Sequence, residues 1–528
     1  MRKPKLATFF TVANASGSIT ANVPFSSLLL TAQPPTTTVG GPTSNVPNTF
    51  AAYATKFVDG LSGVDTPGGG ASGYLTIQYG LNDWLTQSGR RLVVKPTATY
   101  NLNNSTYTTF PADTGLGPAG QYRVLEGDVT NATQPVVNLN NYGFFPAGST
   151  SVATPNISIR WLRGQGSGSN STPQRPIVHV GYINGGLFEA LWADGLYNTN
   201  SSNNSGSICY NLGQADAPSN LTFNQCRETN CGCNTTGGGI GVNYGMFYTW
   251  GGTNITITNC DANSWCHFLY VKGAYSTPQN LTCYDNKIVY NPASIASQAE
   301  CFNFQPLNPS GVACPGGILW HHNLIDGKGL GTVVGVVVNN PAGFPPVGAQ
   351  GTDVEVYNNT IVNVAGGFNF NDFTGGKVYN NVLCPTANID AMFWATRPPL
   401  GGMATQFSVV DYNAWFVGNG TNVSAWQFDR FGSPQTNFAM FSPPGWQTAF
   451  TTLSGLVPPN TELLTNPDAH GFIFNTQAGV FTNPAGGDYT PLNPGALINA
   501  GRVGGVSGGA SVNIGAYDGS NTVGVTWF

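Results

Sequence analysis

The chain has 528 residues, of which only 8% are charged, with 69 glycines and a formal net charge of −5. Low charge with few hydrophobic runs suggests disorder, but an aromatic content of 12% argues strongly against it here. No basic footprint for nucleic acid or for a membrane surface is present, and no apolar run reaches the roughly 18 residues of a spanning helix. What remains is an all-β protein whose surface is made soluble by Asn, Thr, Ser and Gly.

At the start, Arg2, Lys3 and Lys5 precede Leu6–Ala13 and Ala13-Asn-Ala15, the outline of a secretory signal. Thr8 and Thr11 interrupt the short apolar core, so a retained N-terminus is expected. Two apolar-tinged pieces, Leu6–Val12 and Ile19–Leu30, lead into Pro34-Pro-Thr-Thr-Thr and a Gly/Pro/Ser run ending at Gly68-Gly-Gly70. Residues 1–70 therefore read as an extended attachment arm and linker, of the kind that orders on a partner protein. Over Ser72–Gly89, Tyr74, Ile77, Leu81 and Trp84/Leu85 fall on one helical face, with Gly89 as the stop. Arg90–Pro96 and Thr99–Leu102 follow as strands.

From Asn220 one phrase keeps returning. It reads Asn220-Leu-Thr-Phe-Asn-Gln-Cys226, Asn254-Ile-Thr-Ile-Thr-Asn-Cys260 and Asn280-Leu-Thr-Cys-Tyr-Asp-Asn286, then Gly317-Ile-Leu-Trp-His-His-Asn323, Asp353-Val-Glu-Val-Tyr-Asn-Asn359 and Gly376-Lys-Val-Tyr-Asn-Asn381. The last residues of successive phrases are 34, 26, 37, 36 and 22 positions apart. After four of them the next-but-one residue is apolar again: Ile288, Ile325, Ile361 and Leu383. A strand, a polar corner and a second strand at that period make a solenoid coil. The long intervals place loops at Ala293–Pro315 and Gly327–Ala349. The marked Asn is expected at the corner with φ > 0, its amide donating to the Asn one coil away, so that Asn286, Asn323, Asn359 and Asn381 form a ladder. Cys226 and Cys260 occupy equivalent places in stacked coils. They are either within disulfide range or buried thiols acting as small apolar residues.

The helix, the strand and Pro turn after it, the repeated phrase and the tail Asp488–Gly501 with Asn513-Ile-Gly-Ala-Tyr517 resemble the pectate-lyase-like superfamily of right-handed parallel β-helices. The layout is most similar to phage tailspikes and other virion-surface members. The resemblance implies an all-β, single-stranded right-handed parallel β-helix with an N-terminal capping helix. Residues 1–70 would be the arm, 71–415 the helix with its cap, and 416–528 a closing region. It is specific for fold and unspecific for activity, since the fold hosts lyases, hydrolases, adhesins and inert scaffolds.

Carboxylates are few enough to audit singly. Asp261 and Lys287 share a column, which a cross-coil ion pair explains. Asp285 stands beside the ladder, and Glu300 and Asp326 follow strands; Asp353 and Glu355 flank an inward valine. If the chain is an enzyme, Asp261, Asp285 and Glu300 are the catalytic candidates, because β-helix glycosidases pair carboxylates along the wall. Lyases of the fold instead use Arg or Lys as the base. The Asp-Asp, Gly-His-Gly and Arg-x-Lys motifs of polygalacturonases are absent, as is the Asp-Pro-His signature of mannuronan epimerases. Alternation would turn one of His321-His322 inward, and Cys231-Gly-Cys233 is too isolated for a zinc knuckle, so neither metal nor cofactor is expected. Trp192, bracketed by Glu189 and Asp194, together with Trp394, Trp415 and Trp426, would stack sugars if exposed and pack the core if buried. The reading is a virion or cell-surface appendage that contacts host polysaccharide, anchored through residues 1–70 and homotrimeric as tailspikes are. The alternatives are a secreted polysaccharide lyase or glycoside hydrolase, and a purely structural fibre.

Overall fold

The computed structural model describes residues 11–14, 17–20, 46–102, 107–139, 142–146, 154–166, 176–198, 208–212, 218–233, 245–249, 251–263, 267–272, 279–291, 299–305, 317–330, 333–338, 354–371, 375–385, 393–396, 407–416, 424–429, 436–439, 468–518, 521 and 523–524. The basic start and the Pro-rich part of the arm lie outside the described residues. Met1–Thr43 and Ser44–Phe528 form separate compact units. In the first, Thr11–Asn14 pairs antiparallel with Gly17–Thr20.

In the second unit three twelve-stranded sheets run side by side along the chain. One coil contributes Thr253–Thr258 to sheet I, Asp261–Asn263 to sheet II and Leu269–Lys272 to sheet III. The next contributes Gln279–Tyr284, Lys287–Val289 and Ala299–Gln305, each pairing parallel with its predecessor. Crossovers between parallel strands are right-handed. The chain is a single-stranded right-handed parallel β-helix.

Two strands of sheet III, Ala299–Gln305 and Val333–Val338, fall inside the segments expected as loops. The repeated phrase carries only sheets I and II. The third strand follows stretches of varying length, which blur its period. The sheets also reach past both expected boundaries, since sheet I begins with Ala54–Val58 and sheet II ends with Phe472–Phe474.

Alternate residues of the phrase point inward. Leu221, Ile255, Leu281, Ile318 and Val354 form one column, and Phe223, Ile257, Cys283, Trp320 and Val356 the next, all at most 1% exposed. Burying each large member stabilises the fold by roughly 1.5–3 kcal/mol, so the columns are its main favourable term. The open N-terminal end is closed by the helix Ile77–Trp84, shorter than the expected Ser72–Gly89 span. The Thr76 hydroxyl accepts from the Tyr79 N–H at 3.3 Å, and Ile77, Gly80 and Leu81 face the first coils.

The corner between sheets I and II departs from expectation by one residue. The left-handed position belongs to the residue before the ladder: Gln225, Asn259, Asp285, His322, Asn358, Asn380 and Tyr412, with φ between 52° and 58°. That single residue turns the strand, so the next side chain drops into the interior. Asn286, Asn323, Asn359 and Asn381 are accordingly buried; Asn286 Oδ1 accepts from the Cys260 N–H alone, and the other three each receive two bonds on one oxygen. Asn323 donates its N–H (3.0 Å) and its Nδ2 (3.1 Å) to Asn359 Oδ1, and Asn359 repeats this toward Asn381 at 3.1 and 3.0 Å. The ladder runs further than the repeated phrase, through Asn413 to Asp468, whose Oδ1 accepts from the Asn413 N–H at 2.8 Å. Trp415 Nε1 donates to the other oxygen of Asp468. An Asn at this last position would set an amide against the indole N–H, whereas the carboxyl group presents one oxygen to each donor. At the upper end Cys226 and Cys260 hold ladder places as free thiols rather than a disulfide, and the Cys226 N–H lies 3.3 Å from Cys260 Sγ.

A second, exposed ladder runs along the start of the sheet I strands. Asn220, Asn254 and Asn280, all at φ > 0, donate Nδ2 in turn to the Oδ1 of the Asn one coil earlier, at 2.6, 2.9 and 2.9 Å. Gly317 takes the next place with φ 79°, where a Cβ would lie 2.6 Å from Asn280 Oδ1.

Two outcomes check the buried ladder. Asn359→Ala strands its donors and acceptors and should cost about 3 kcal/mol in guanidinium unfolding, whereas a loss below about 1 kcal/mol would deny the ladder that weight. Burial pushes the Asp468 carboxyl from 3.8 up to about 7. A group with a raised folded pKa stabilises fully below its unfolded pKa and loses that contribution as pH rises through the folded value. Stability should therefore decline between pH 3.8 and about 7, and Asp468→Asn should flatten that slope.

Candidate functional site

In sheet II each three-residue strand points its middle side chain inward and the flanking two outward. The outward register Arg163, Trp192, Arg227, Asp261 and Lys287 forms one row across five coils, about 4.8 Å apart. The Trp192 ring has the Arg163 guanidinium 4.1 Å and the Arg227 guanidinium 5.4 Å from its centroid. Cation–π contacts of this kind contribute about 0.5–1 kcal/mol each at exposed sites and hold both forks in place. Trp192 Nε1 donates to Thr229 Oγ1 at 2.6 Å, and Thr229 Oγ1 donates onward to Asp194 Oδ1 at 2.8 Å. Arg163 pairs with the same carboxylate. Burial pushes the Asp194 carboxyl up, but the hydrogen bonds from Arg163, Asn230 and Thr229 outweigh it and leave the group below its ordinary value. Asp194 is thus a fixed anion that orients Arg163. Arg227, Asp261 and Lys287 continue the row as cation, anion and cation.

The three catalytic candidates do not converge. Asp261 belongs to this row. Asp285 is the left-handed corner residue, and Glu300 lies on sheet III, where its carboxylate accepts from Asn303 Nδ2 and its carbonyl oxygen meets His267 Nδ1 at 2.7 Å. Asp285 is held by the C-terminal tail: Asn521 Nδ2 donates to its Oδ1 at 2.6 Å, and the Gly524 N–H to its carbonyl oxygen at 2.8 Å. A Cβ on Gly524 would lie 2.3 Å from Asp261 Oδ1, so the tail passes over both acids. Burial pushes the Asp285 carboxyl up. Its role is to anchor the tail.

The tail is the closing region, and it covers the later part of sheet II. Leu324, Val362, Val382, Ala414 and Phe416 face outward there and are buried beneath Leu497, Ile514 and Ala516. Asn358 Nδ2 donates to the Asn513 carbonyl at 2.7 Å, and Asn380 exchanges bonds with Arg502 at 2.8 and 3.1 Å. The part of sheet II clear of the tail is therefore the start of the row, Arg163, Trp192 and Arg227, while Gly524 lies against Asp261 and the base of the exposed Lys287 side chain.

Of the tryptophans expected to stack sugars, Trp415 is fully buried at the ladder's end, out of reach of any ligand. Trp192 offers no open ring face, because the two guanidinium groups flank it. Trp394 and Trp426 sit on sheet III strands, at partners Asn369 and Phe393, with side chains outside the described residues. Glu189 does not bracket Trp192; it pairs with Arg160 on sheet I at 2.7 Å. His321 and His322 both face out, because the left-handed corner reverses the alternation. Their Nδ1 atoms are 2.8 Å apart, one donating and one accepting, and burial pushes His321 down to about 3.

Sequence reasoning missed Arg163 and Arg227. The signal was present, since each directly follows a sheet I to II corner, two places before an outward polar residue. A run of stacked rings was also missed: Tyr284, His321, Tyr357 and Tyr379 lie 5.0, 4.6 and 5.0 Å apart on sheet I. Their faces meet one another, leaving only edges for a ligand. A cleft of 540 Å³ lies elsewhere, between Lys328, Asn363, Gln477 and Tyr489. Its polar groups are tied together around Asp326, with Lys328 at 2.7 Å and Tyr489 at 3.2 Å.

No family model and no curated protein matches the sequence. Among solved structures the chain is similar to the PL6 family polysaccharide lyase Pedsa3628 from Pseudopedobacter saltans, at 12% identity over 85% of this chain and 98% of that one, with a TM-score of 0.44. It is also similar to pectate lyase Pel9A, at 13% identity over 88% and 96% of the two chains, with a TM-score of 0.27. A mannuronic acid specific polysaccharide family 6 lyase from human gut microbiota matches at 11% identity over 65% and 78%, with a TM-score of 0.25.

Asp285→Ala removes the side-chain anchor of the tail and should cost about 1 kcal/mol locally. Hydrogen exchange over 511–524 should speed up while the ladder amides stay protected; unchanged exchange would remove Asp285 from the tail's anchorage.

Proposed function

We propose that the chain binds an acidic polysaccharide along the outward face of sheet II and cleaves it by β-elimination. One observation carries the reading. In a chain of net charge −5 with only 19 basic residues, three stand in one short outward row, two of them fixed against an indole. Guanidinium forks match carboxylates bidentately, and a row repeating at the strand spacing suits a polymer with regularly spaced carboxylates. Elimination needs a cation to neutralise the uronate carboxylate and a base to take the proton on the carbon beside it. The C–O bond one carbon further then breaks, a C=C bond forms, and the leaving oxygen gains a proton. Arg163 and Arg227 suit the first task. Lys287, the exposed end of the row, suits the second when deprotonated, and Asp261 between Arg227 and Lys287 orients both.

A panel of polyuronates and neutral glycans tests this, read by the ultraviolet absorbance of unsaturated ends. Cleavage confined to polyuronates is expected. Lys287→Ala should lower kcat by about 100-fold or more, Arg227→Ala should chiefly raise KM, and Asp285→Asn should leave both within about twofold. Hydrolytic products, or activity untouched in both cation variants, would overturn the assignment.

A place at a virion or cell surface, with polysaccharide as the target, is compatible with this activity. The separate unit Met1–Thr43 supports an attachment arm for an anchor protein. Deleting residues 1–43, and not 1–70, is the informative truncation, because Phe50 and Ala54–Val58 belong to the solenoid unit. The truncated chain should fold, keep its activity and lose incorporation into the host particle or envelope. Light scattering of the full chain tests the homotrimer; a monomer mass would reject it.

A further inference from the structure

We propose that Cys209, Glu228 and Cys231 form a buried binding site for a thiophilic divalent cation of the zinc class inside the solenoid. The inference is independent of the polysaccharide reading. Glu228 is the middle residue of its sheet II strand, so its side chain points into the core, where it is fully buried. The inward column it joins otherwise holds Gly164, Ala193, Ala262, Ile288 and Ile325, with the smallest side chains directly around it. Cys209 reaches the same point from sheet III and Cys231 from just beyond the sheet II strand, both fully buried. One sulfur from each and a carboxylate oxygen lie within 4.8 Å of one another.

Zinc–sulfur bonds of about 2.3 Å and zinc–oxygen bonds of about 2.1 Å set tetrahedral ligands roughly 3.5 Å apart. The separations within the cluster therefore exceed ligating geometry by at most about 1.3 Å. Two sulfurs and one carboxylate select a thiophilic ion over calcium or magnesium, which take oxygen ligands. The carboxylate is oriented from behind, as the Asn263 N–H donates to Glu228 Oε1. Binding removes a proton from each thiol, and the cation's two charges offset thiolate and carboxylate charge that the apolar interior otherwise penalises. The enclosed position makes the ion a staple acquired during folding.

The test uses the full-length chain, purified under reducing conditions, with zinc measured by plasma mass spectrometry. About one equivalent per chain is expected. Refolding with cobalt(II) should give a thiolate-to-cobalt charge-transfer band. Glu228→Gln and Cys231→Ser should retain about tenfold less metal, while Cys283→Ser, a buried thiol outside the cluster, keeps it. Should the cluster variants fail to fold, the wild-type cobalt spectrum decides alone, since a band without thiolate character overturns the site. It is equally overturned by a wild type retaining less than about a tenth of an equivalent, by peptide mapping of a Cys209–Cys231 disulfide, or by undiminished retention in Cys231→Ser.

Discussion

From Asp285 onward each coil of this protein turns from sheet I to sheet II through one left-handed residue, and the buried amide after that residue has to be satisfied. The structure meets the demand with one oxygen per coil accepting two N–H groups from the coil before. That arrangement is directional. Each ladder residue is completed by its C-terminal neighbour, so the series needs a last acceptor that asks nothing further. Asp468 supplies it, with one oxygen for Asn413 and the other for Trp415. The left-handed residues are the accompanying cost. Gln225, His322 and Tyr412 adopt a conformation that disfavours most side chains by about 1–2 kcal/mol, and cooperative bonding along the ladder offsets it.

Much of this was legible. The spacing of Asn286, Asn323, Asn359 and Asn381 identified a coil because a buried amide on every turn imposes one residue type at one place. The ladder's continuation to Asn413 and Asp468 was not legible, since it depends on a residue far along the chain after the phrase has decayed. Sheet III was read as loops for a related reason. Its strands, such as Val333–Val338, are plain apolar runs that any core could use, and their spacing varies. The one-residue error in the left-handed position came from assigning turn chemistry to Asn by habit, where a buried side chain was the stronger requirement.

The candidate site was less legible than the fold. Carboxylates were sought because they are rare, and rarity does point to roles here, but chiefly to structural ones. Asp194 fixes an arginine, Asp285 holds the tail, and Asp468 ends the ladder. The cations that make the sheet II row distinctive looked ordinary in sequence, because only the register brings Arg163, Trp192, Arg227 and Lys287 together across 125 residues of chain. The same register hides the Cys209–Glu228–Cys231 cluster, whose members belong to different walls.

The path of the C-terminal tail bears on how the molecule is made. Asn513, Asn521 and Gly524 lie over corners that belong to coils completed more than a hundred residues earlier. During synthesis the strip of Leu324, Val362, Val382, Ala414 and Phe416 therefore stands uncovered until Leu497, Ile514 and Ala516 have emerged. A solenoid growing coil by coil would carry an adhesive stripe until its closing region docks, and that docking is also the step that renders it inert to its own copies.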